Sequence, residues 1–477
     1  MRIRSFILLA IFFLIFSCQK QKDETPNVIV ILLDDLGYAD VGFNGAKDIL
    51  TPYIDELAEQ SVVFDNAYVS YPVCSPSRAG LLTGRYQDHF GYGLNVLFAP
   101  KDETMGLPKT EFTLADLFKT KNYATSAIGK WHLGAHESLR PRQRGFDEFF
   151  GFLSGGHRYF PQEWILEDET AVKSQYDSYK TKLLKNGSRV EENEYLTDAL
   201  SREAVDFIQR NSKTPFFLYL SYNAPHSPLQ ATQKYLDRYE HLPKGKRKTY
   251  AAMVSAVDDG VGDIVNALKK HQIKENTIIY FLSDNGGSRF NGSQNTPLRG
   301  HKGELFEGGI KVPFFMHWPT KLQGGQRYQE PIIALDIFAT LKSIVHPDLR
   351  LPNKIQGTNL MPYLTRINQQ APHPYLFWRN NGHQPPLENG TRPRYITWSV
   401  RTPNTKLLIR KSDTMLFDMM HDLSETLNLK DSLSRAVDLL EKEIQKWNAF
   451  NVDPVFMGLK DNKRYNELHP DRFAQDD

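Results

Sequence analysis

Cysteine is scarce in this sequence, whose 477 residues include only Cys18 and Cys74. A fold held together by several disulfides is therefore excluded, and stability must come from the burial of apolar surface. A chain of this length can bury a large core and is long enough to form two domains.

A surplus of charge of one sign is also missing. Lysine and arginine number 58 and aspartate and glutamate 56, which gives a net charge of +2. Because this balance provides no global field that would attract a nucleic acid, we predict no nucleic-acid partner. Any binding of an anion must instead depend on a local cluster of basic side chains.

Apolar runs long enough to cross a membrane are missing too, since a spanning helix needs about 20 residues. The run from Phe6 to Phe16 has only eleven residues and follows Arg2 and Arg4. A short apolar run behind basic residues is typical of a secretory signal, so we predict a signal peptide at residues 1–17 and export of the mature protein.

The end of this signal, Ile-Phe-Ser-Cys at residues 15–18, resembles a bacterial lipoprotein cleavage box. We therefore predict that the mature chain begins at a lipidated Cys18, with a polar tether over residues 18–26. Its location would be the periplasm or the cell surface, anchored by the lipid to the outer membrane. A plainly cleaved signal without lipid is the alternative.

Two strand-like apolar runs, at residues 28–33 and 277–282, are each followed closely by polar side chains with oxygen atoms. Because the carboxyl ends of parallel strands meet at one edge of a sheet, these side chains are expected to converge there. Such an all-oxygen set suits a hard cation. The four side chains are Asp34, Asp35, Asp284 and Asn285.

Cys74 stands between a β-branched run that ends near Ser70 and a segment that opens with Pro76, a favoured first residue of a helix. This predicts that its sulfur lies at a helix N-terminus, where backbone N–H groups and the helix dipole favour an anion. Arg78 adds a full positive charge about one turn further on. An unmodified thiol in this position is expected to be acidic and reactive.

The sequence around Cys74 resembles the signature of the formylglycine-dependent sulfatases, a family of the alkaline-phosphatase superfamily. Residues 129–134, 298–309 and 416–425 also resemble motifs of that family, the last with Leu423 in place of the usual proline. The resemblance spans residues 27 to about 430. The positions in register around the cysteine are Cys74, Pro76, Ser77, Arg78, Leu82, Thr83, Gly84 and Arg85.

The resemblance implies that a formylglycine-generating maturation enzyme oxidises Cys74 to an aldehyde, 3-oxoalanine. Once hydrated, this aldehyde offers two hydroxyls, of which one attacks sulfur and the other later expels sulfate by elimination. The resemblance also implies one bound Ca²⁺, held by Asp34, Asp35, Asp284 and Asn285.

Roles for further residues follow from the same resemblance. His132 would act as the base for elimination, and Asp284 would help to deprotonate the attacking hydroxyl. His226 would contact the sulfate and the leaving-group oxygen. The catalytic residues that the resemblance implies, with the sulfate-binding side chains among them, are Cys74, Arg78, Lys130, His132, His226 and Lys302.

Strand-like and helix-like segments alternate through about residue 347, which predicts an α/β fold with a large, mostly parallel sheet sandwiched by helices. The resemblance implies the alkaline-phosphatase-like version of this fold. We predict helices at residues 52–60, 113–120, 196–210 and 248–271. The predicted domains are a catalytic domain (27–347), a proline-rich linker (348–374) and a smaller C-terminal α+β subdomain with an antiparallel sheet (375–477).

An exported sulfatase suggests a sulfated carbohydrate substrate, such as oligosaccharides from algal ulvan or carrageenan, or a host glycan. Sugar sites combine aromatic faces with planar polar groups. Two stretches outside the main motifs have this character, at residues 155–160 and 377–383. From them we predict that His157, Arg158 and Arg379 hold the sugar.

Three other functions remain possible from the sequence. The first is a phosphodiesterase or phosphonate monoester hydrolase of the same superfamily. The second is an inactive surface lipoprotein that binds a sulfated glycan. The third is thiol catalysis by unmodified Cys74, which iodoacetamide would inhibit.

Overall fold

The computed structural model of the protein describes residues 25–382, 396–411 and 413–473. The predicted signal peptide, the predicted lipidation site Cys18 and most of the tether lie outside these ranges. Within them, no helix combines the length and the apolar character that a membrane crossing requires.

The described residues form strands and helices in alternation through the first two thirds of the chain. The strands are β1 (Asn27–Leu33), β2 (Val62–Phe64), β3 (Ala67–Tyr68), β4 (Ala124–Lys130), β5 (Glu148–Phe152), β6 (Leu183–Lys185), β7 (Ser188–Val190), β8 (Phe216–Ser221), β9 (Thr277–Ser283), β10 (Phe314–His317), β11 (Gln326–Tyr328), β12 (Ile332–Ile333), β13 (Leu376–Asn381), β14 (Ile396–Arg401), β15 (Thr405–Arg410) and β16 (Asp413–Asp418). The helices are α1 (Pro52–Glu59), α2 (Cys74–Thr83), α3 (Leu114–Lys119), α4 (Leu196–Arg210), α5 (Gln233–Leu236), α6 (Lys246–Lys270), α7 (Glu307–Ile310), α8 (Asp336–Val345), α9 (Met361–Leu364), α10 (Ser434–Asn448) and α11 (Asn462–Leu468).

Ten of the strands form one sheet, in the order β11-β2-β10-β9-β1-β8-β4-β5-β6-β7. The pairs at its centre, β9-β1, β1-β8, β8-β4 and β4-β5, are all parallel. Their apolar runs are buried throughout in β1, β8 and β9, as expected for strands covered on both faces. The predicted large and mostly parallel sheet is therefore confirmed.

Side chains of β1 alternate between two hydrophobic cores, one on each face of the sheet. Val28 and Val30 belong to the core that also contains side chains of α2, α3 and α8. Ile29 and Ile31 belong to the core that contains side chains of α1, α4 and α6. This period of two gives the three-layer arrangement, with helices on both faces. The four predicted helices correspond to α1, α3, α4 and α6, to within two residues at each end.

The second sheet is small and antiparallel, with the order β13-β14-β15-β16, and α10 packs beside it. This confirms the predicted antiparallel sheet after residue 375. Strand β16 lies in the stretch that resembles a C-terminal family motif, and the sequence analysis did not identify it as a strand. Beyond α10 the chain returns to the large domain, where Phe456 and Tyr465 join its core.

A buried ionic cluster connects the small sheet to the large domain, and we call it the Glu307 cluster. Glu307 Oε1 lies 2.9 Å from Lys406 Nζ, and Glu307 Oε2 accepts a hydrogen bond of 2.6 Å from the Tyr68 hydroxyl. Lys406 Nζ also lies 2.8 Å from Glu425 Oε1, whose partner oxygen accepts the Glu307 N–H at 2.7 Å. Arg401 Nη1 completes the cluster at 3.3 Å from Glu307 Oε2.

Candidate active site

Four neighbouring parallel strands, β9, β1, β8 and β4, deliver the predicted site residues to one edge of the large sheet. Because the strands run in the same direction, the segments that leave their carboxyl ends must meet there. The residues that follow these strands or end them are Asp34, Asp35, Lys130, His132, His226, Asp284 and Asn285.

Cys74 is the first residue of α2, as the sequence predicted, after an extended N-cap residue, Val73. Its side chain is almost fully buried, with 2% of the residue surface exposed. The ammonium group of Lys302 lies 3.0 Å from its sulfur. The helix terminus and the lysine both favour negative charge at this atom.

The expectation of an acidic thiol is nevertheless wrong. Burial raises the pKa of the Cys74 thiol to about 12, and the charges of Lys130 and Lys302 only partly offset this effect. An unmodified Cys74 is therefore a protonated thiol at neutral pH, which counts against thiol catalysis.

Three carboxylates and three cations form buried pairs around the sulfur, and we call these six residues the catalytic cluster. Arg78 Nη2 lies 2.8 Å from Asp284 Oδ2, Lys130 Nζ lies 2.6 Å from Asp34 Oδ2, and Lys302 Nζ lies 2.6 Å from Asp35 Oδ1. Arg78 also donates to the Lys130 carbonyl and to the hydroxyl of Ser221, a residue that the sequence analysis did not consider. The cluster is Asp34, Asp35, Arg78, Lys130, Asp284 and Lys302.

The pKa values of the acids differ because their surroundings differ. Burial raises the pKa of Asp35, but the charges of Lys302 and His226 and a hydrogen bond from Asn285 bring it down to about 2. Burial, together with the negative charge of Asp34, raises the pKa of Asp284 to about 6, despite the opposing charge of Arg78. Asp284 is thus the stronger proton acceptor of the two.

The donor set fits a hard cation. Asn285 Nδ2 donates to Asp35 Oδ1 at 2.8 Å, and the Asp35 N–H lies 3.4 Å from Asp284 Oδ1, so the predicted ligands are adjacent. Two buried oxygens of these predicted ligands, Oδ1 of Asp34 and Oδ1 of Asn285, have no hydrogen-bond partner among the described residues. Buried oxygens without donors are costly unless a ligand satisfies them, and carboxylate and amide oxygens are what Ca²⁺ prefers.

Both predicted histidines lie at this edge. His226 Nε2 lies 3.8 Å from Asp35 Oδ2, and its ring Nδ1 lies 2.6 Å from the Ser227 carbonyl. His132 is buried, adopts a positive φ of 56°, and its Nδ1 has no hydrogen-bond partner among the described residues. Burial and the charge of Lys130 hold the pKa of His132 well below its usual range, so its ring is neutral at neutral pH.

Two glycines allow the chain to pass close to these histidines. A Cβ added at Gly155 would lie 2.8 Å from His132 Nε2, and one at Gly156 would lie 3.1 Å from His226 Nδ1 and 2.9 Å from the Tyr179 ring. This stretch was predicted to bind sugar through His157 and Arg158, and no role was predicted for its glycines. The pair of consecutive glycines in the sequence could have indicated this role, since glycine permits a close approach of the backbone.

Two of the three predicted sugar-binding residues are in the wrong environment. His157 is fully buried at 0% exposure, between Phe152 and Trp164, and its ring nitrogens contact the backbone carbonyls of Arg158 and Thr181. Neither ring nitrogen can reach a ligand in solution, so the prediction for His157 is wrong.

Arg379 is also buried, at 4% exposure. Its guanidinium lies 2.6 Å from Asp453 Oδ1 and stacks over the Trp398 ring, so it connects parts of the C-terminal subdomain instead of facing a sugar. Arg158 differs, because 38% of its side chain is exposed, next to Glu163 at 3.1 Å. It remains a predicted sugar ligand.

A cleft of about 640 Å³ opens beside the catalytic cluster. Lys302 lines it, together with residues of the small sheet such as Asn380. Through Lys302, whose ammonium group lies 3.0 Å from the sulfur of Cys74, the cleft adjoins the catalytic cluster, and it extends from there to the small sheet.

Cations that acid partners hold in place around a cysteine, at the carboxyl edge of such a sheet, suit an enzyme that acts on an anionic ester. A family model described as Sulfatase matches residues 26–346. The chain therefore belongs to the sulfatase family, the enzymes that hydrolyse sulfate esters. This confirms the family that the sequence around Cys74 predicted.

Named relatives agree with this assignment. Arylsulfatase J of Mus musculus is 36% identical over 338 residues, which is 70% of this chain and only 55% of that protein. The N-acetylgalactosamine-6-sulfatase of Sus scrofa is 32% identical over 393 residues, or 79% of this chain and 73% of that one. The crystal structure of Ps i-CgsB in complex with k-i-k-neocarrahexaose superimposes with a TM-score of 0.84 at 38% identity, covering 94% of this chain and 98% of that one.

Proposed function

We propose that this protein removes sulfate from a sulfated oligosaccharide, through an aldehyde derived from Cys74 and with one bound Ca²⁺. The observation that carries the proposal is the setting of the sulfur. Donor atoms of Asp34, Asp35, Cys74 and His226 all lie within 4.8 Å of one another. A cysteine that only fills the core has no need of such neighbours.

The chemistry begins with maturation of Cys74 by a formylglycine-generating enzyme. The hydrated aldehyde would supply one hydroxyl that attacks sulfur and a second that expels sulfate afterwards. Asp284, with its raised pKa, accepts the proton of the attacking hydroxyl. His132 has a neutral ring and a free Nδ1 with which to accept the second proton.

The cations of the site hold the sulfate group. Arg78, Lys130 and Lys302 are fixed by buried acids, so their positive charges are already in place before a substrate binds. Such preorganised charge stabilises the negative charge that develops in the transition state. Ca²⁺ on Asp34, Asp35, Asp284 and Asn285 would add a Lewis acid to this set.

The carbohydrate class of substrate is supported by the relatives. Ps i-CgsB was solved with a carrageenan-type hexasaccharide, and the relative from Sus scrofa is named for a sulfated amino sugar. The cleft of about 640 Å³ beside Lys302 is in the size range of ligand pockets, roughly 300–1,000 Å³. Arg158, whose side chain is 38% exposed, is the residue that we propose to contact the sugar.

Export and a lipid anchor on Cys18 complete the proposal. They are supported by the short apolar run behind Arg2 and Arg4 and by the cleavage-box resemblance at residues 15–18. Cys18→Ala should leave activity unchanged but shift the protein from the membrane fraction to the soluble fraction. A wild-type mature chain that begins elsewhere, without lipid, would contradict this part.

The test of the function is a comparison of Cys74→Ala with Cys18→Ala, both purified from cells that contain the maturation enzyme. On an aryl sulfate and on a sulfated oligosaccharide, Cys74→Ala should lose all measurable turnover, whereas Cys18→Ala should match the wild type. An aryl phosphodiester serves as the competing substrate. Retained sulfatase activity in Cys74→Ala, or faster turnover of the phosphodiester by the wild type, would overturn the proposal.

A further inference from the structure

We infer that the cleft beside the catalytic cluster is a second anion subsite, which takes a sulfate or a carboxylate on a sugar next to the one that loses its sulfate. The inference rests on the proposed function, because it assigns to that site an oligosaccharide with at least two anionic groups. The observations that carry it are the extent of the cleft, its unpaired arginines and an exposed aromatic ring.

The cleft extends from the reaction centre onto the C-terminal subdomain. Lys302 lines it, 3.0 Å from Cys74 Sγ, and so does Asn380 of β13. A second hollow of about 280 Å³ shares Asn380 and Arg410 with the first and continues to Thr397 and Leu408 of the small sheet. If a sulfate group of an oligosaccharide binds at the catalytic cluster, the neighbouring sugars of that oligosaccharide would therefore lie along this surface.

Two arginines line the cleft with free guanidinium groups. Arg289 belongs to the loop after β9, and Arg410 is the last residue of β15; both are exposed. Neither makes an ion pair within residues 25–382, 396–411 and 413–473. Arg238, another exposed arginine, is by contrast held by Asp259 at 2.7 Å, whereas Arg435 on α10 has no ion pair among the described residues and differs from the cleft arginines only in its place. Glu304, the one carboxylate that lines the cleft, accepts the backbone N–H of His301 at 3.0 Å.

An exposed aromatic side chain lies beside these charges. Phe290 lines the cleft with 63% of its surface exposed, and the Arg289 guanidinium lies 4.6 Å from its ring centroid. Stacking on the ring orients the arginine at little entropic cost. The rest of the ring offers an apolar surface to the C–H face of a sugar.

The charge argues for a second anion on the substrate. The planar guanidinium presents two parallel N–H groups, which match the oxygens of a sulfate or a carboxylate. A neutral neighbouring sugar would leave both cations without a partner. Because these contacts lie away from the reacting bond, they add binding that is equal in the ground state and the transition state, which lowers KM and leaves kcat unchanged.

The test uses Arg289→Gln and Arg410→Gln, with Arg435→Gln on the exposed face of α10 as the matched control. Each is assayed with an aryl sulfate and with three disaccharides that carry the same cleaved sulfate next to a neutral, a sulfated or a uronic acid residue. For the wild type and the control, the second anion should lower KM. In the two cleft variants this gain should be lost, with KM about tenfold higher and kcat unchanged, because each loses a charge-assisted hydrogen bond.

One outcome of this test identifies the anion, and other outcomes overturn the inference. An effect confined to the sulfated or to the uronic acid neighbour identifies which of the two anions binds. The inference is overturned if KM rises as much on the disaccharide with the neutral neighbour as on the two with an anionic neighbour, or if KM changes on none of them. In either case, continued turnover of the aryl sulfate would leave the proposed function intact. A wild type with a converted Cys74 that hydrolyses no sulfate ester contradicts the proposed function instead.

Discussion

The molecule contains two buried ionic clusters, and they are built differently. In the Glu307 cluster each carboxylate oxygen lies within 3.3 Å of a cation or of an N–H or O–H donor, although Oε1 of Glu425 and Nε of Arg401 make no hydrogen bond. In the catalytic cluster every acid has a cation, yet Oδ1 of Asp34 lacks a donor, as do Oδ1 of the neighbouring Asn285 and Nδ1 of His132.

The difference separates structure from function. A buried charge network in which every carboxylate oxygen has a close cation or donor fixes the position of the elements that carry it. In a network that leaves buried oxygens and a ring nitrogen without partners, these atoms cost free energy, and a ligand that pairs with them would recover it. Changes in the first cluster should therefore reduce stability, and changes in the second should reduce activity.

The largest expected effect is on activity, for Asp284→Asn. Removing the proton acceptor and a carboxylate ligand should lower kcat by about 1,000-fold or more, and added Ca²⁺ should not restore it. The change in thermal midpoint should be modest, because Arg78 keeps the Lys130 carbonyl and the Ser221 hydroxyl as acceptors. Asp263→Asn, an exposed position on α6, is the control and should match the wild type. Full rescue by Ca²⁺ would show that Asp284 is not the proton acceptor.

The opposite pattern is expected for Glu307→Gln. Lys406 and Arg401 would lose a buried carboxylate, which typically costs about 3–5 kcal/mol in unfolding free energy. The folded fraction should retain most of its kcat, because Glu307 is not one of the proposed catalytic residues at the ends of the central strands. Urea unfolding together with activity per folded molecule measures both quantities. A Glu307→Gln variant that is stable but inactive would contradict the distinction between a structural and a catalytic cluster.

A smaller loss of activity is expected for Gly155→Ala. The added methyl would lie 2.8 Å from His132 Nε2, so the ring or the loop must shift, and misplacement of a catalytic group by about 1 Å can cost about 100-fold in rate. Gly187→Ala is the control: alanine is strained at its φ of +101°, but no atom lies within 4 Å of the added Cβ, so stability should fall while kcat is unchanged. Steady-state kinetics should show the loss in kcat. Unchanged kcat in Gly155→Ala would mean that His132 does not need its present position.

The smallest effect concerns acid stability. Burial raises the pKa of Glu307, but Lys406 and Arg401 lower it to about 2, from an ordinary value of 4.5. A lowered pKa gives a stabilising contribution that is complete above pH 4.5 and is lost as the pH falls towards 2. Unfolding free energy should thus fall less steeply over this range in Glu307→Gln than in the wild type. Parallel curves for the two proteins would contradict the assignment.

Sequence reasoning succeeded where local pattern and topology agree. The buried run before Asp34 and the one before Asp284 predicted two parallel strands that end at one edge of the sheet; the two strands pair directly, and their carboxyl ends meet at the site. The N-terminus of α2 at Cys74 followed from Pro76 in the same way.

Sequence reasoning failed where burial decides. His157 and Arg379 have the side chains of sugar ligands, but a pattern of residue types does not say which side of a sheet or loop faces solvent. The thiol of Cys74 shows the same limit, because desolvation outweighs the helix terminus and both lysines. The role of Gly155 and Gly156 depends on two histidines that are distant in sequence, one of them 70 residues away.

The most direct test of the account is the mass of the peptide that contains Cys74, measured in protein produced with the maturation enzyme. We predict that this peptide has lost one sulfur and two hydrogens and gained one oxygen, and that specific activity rises in proportion to the converted fraction. Full sulfatase activity in a preparation whose Cys74 is entirely an unmodified thiol would contradict the central claim.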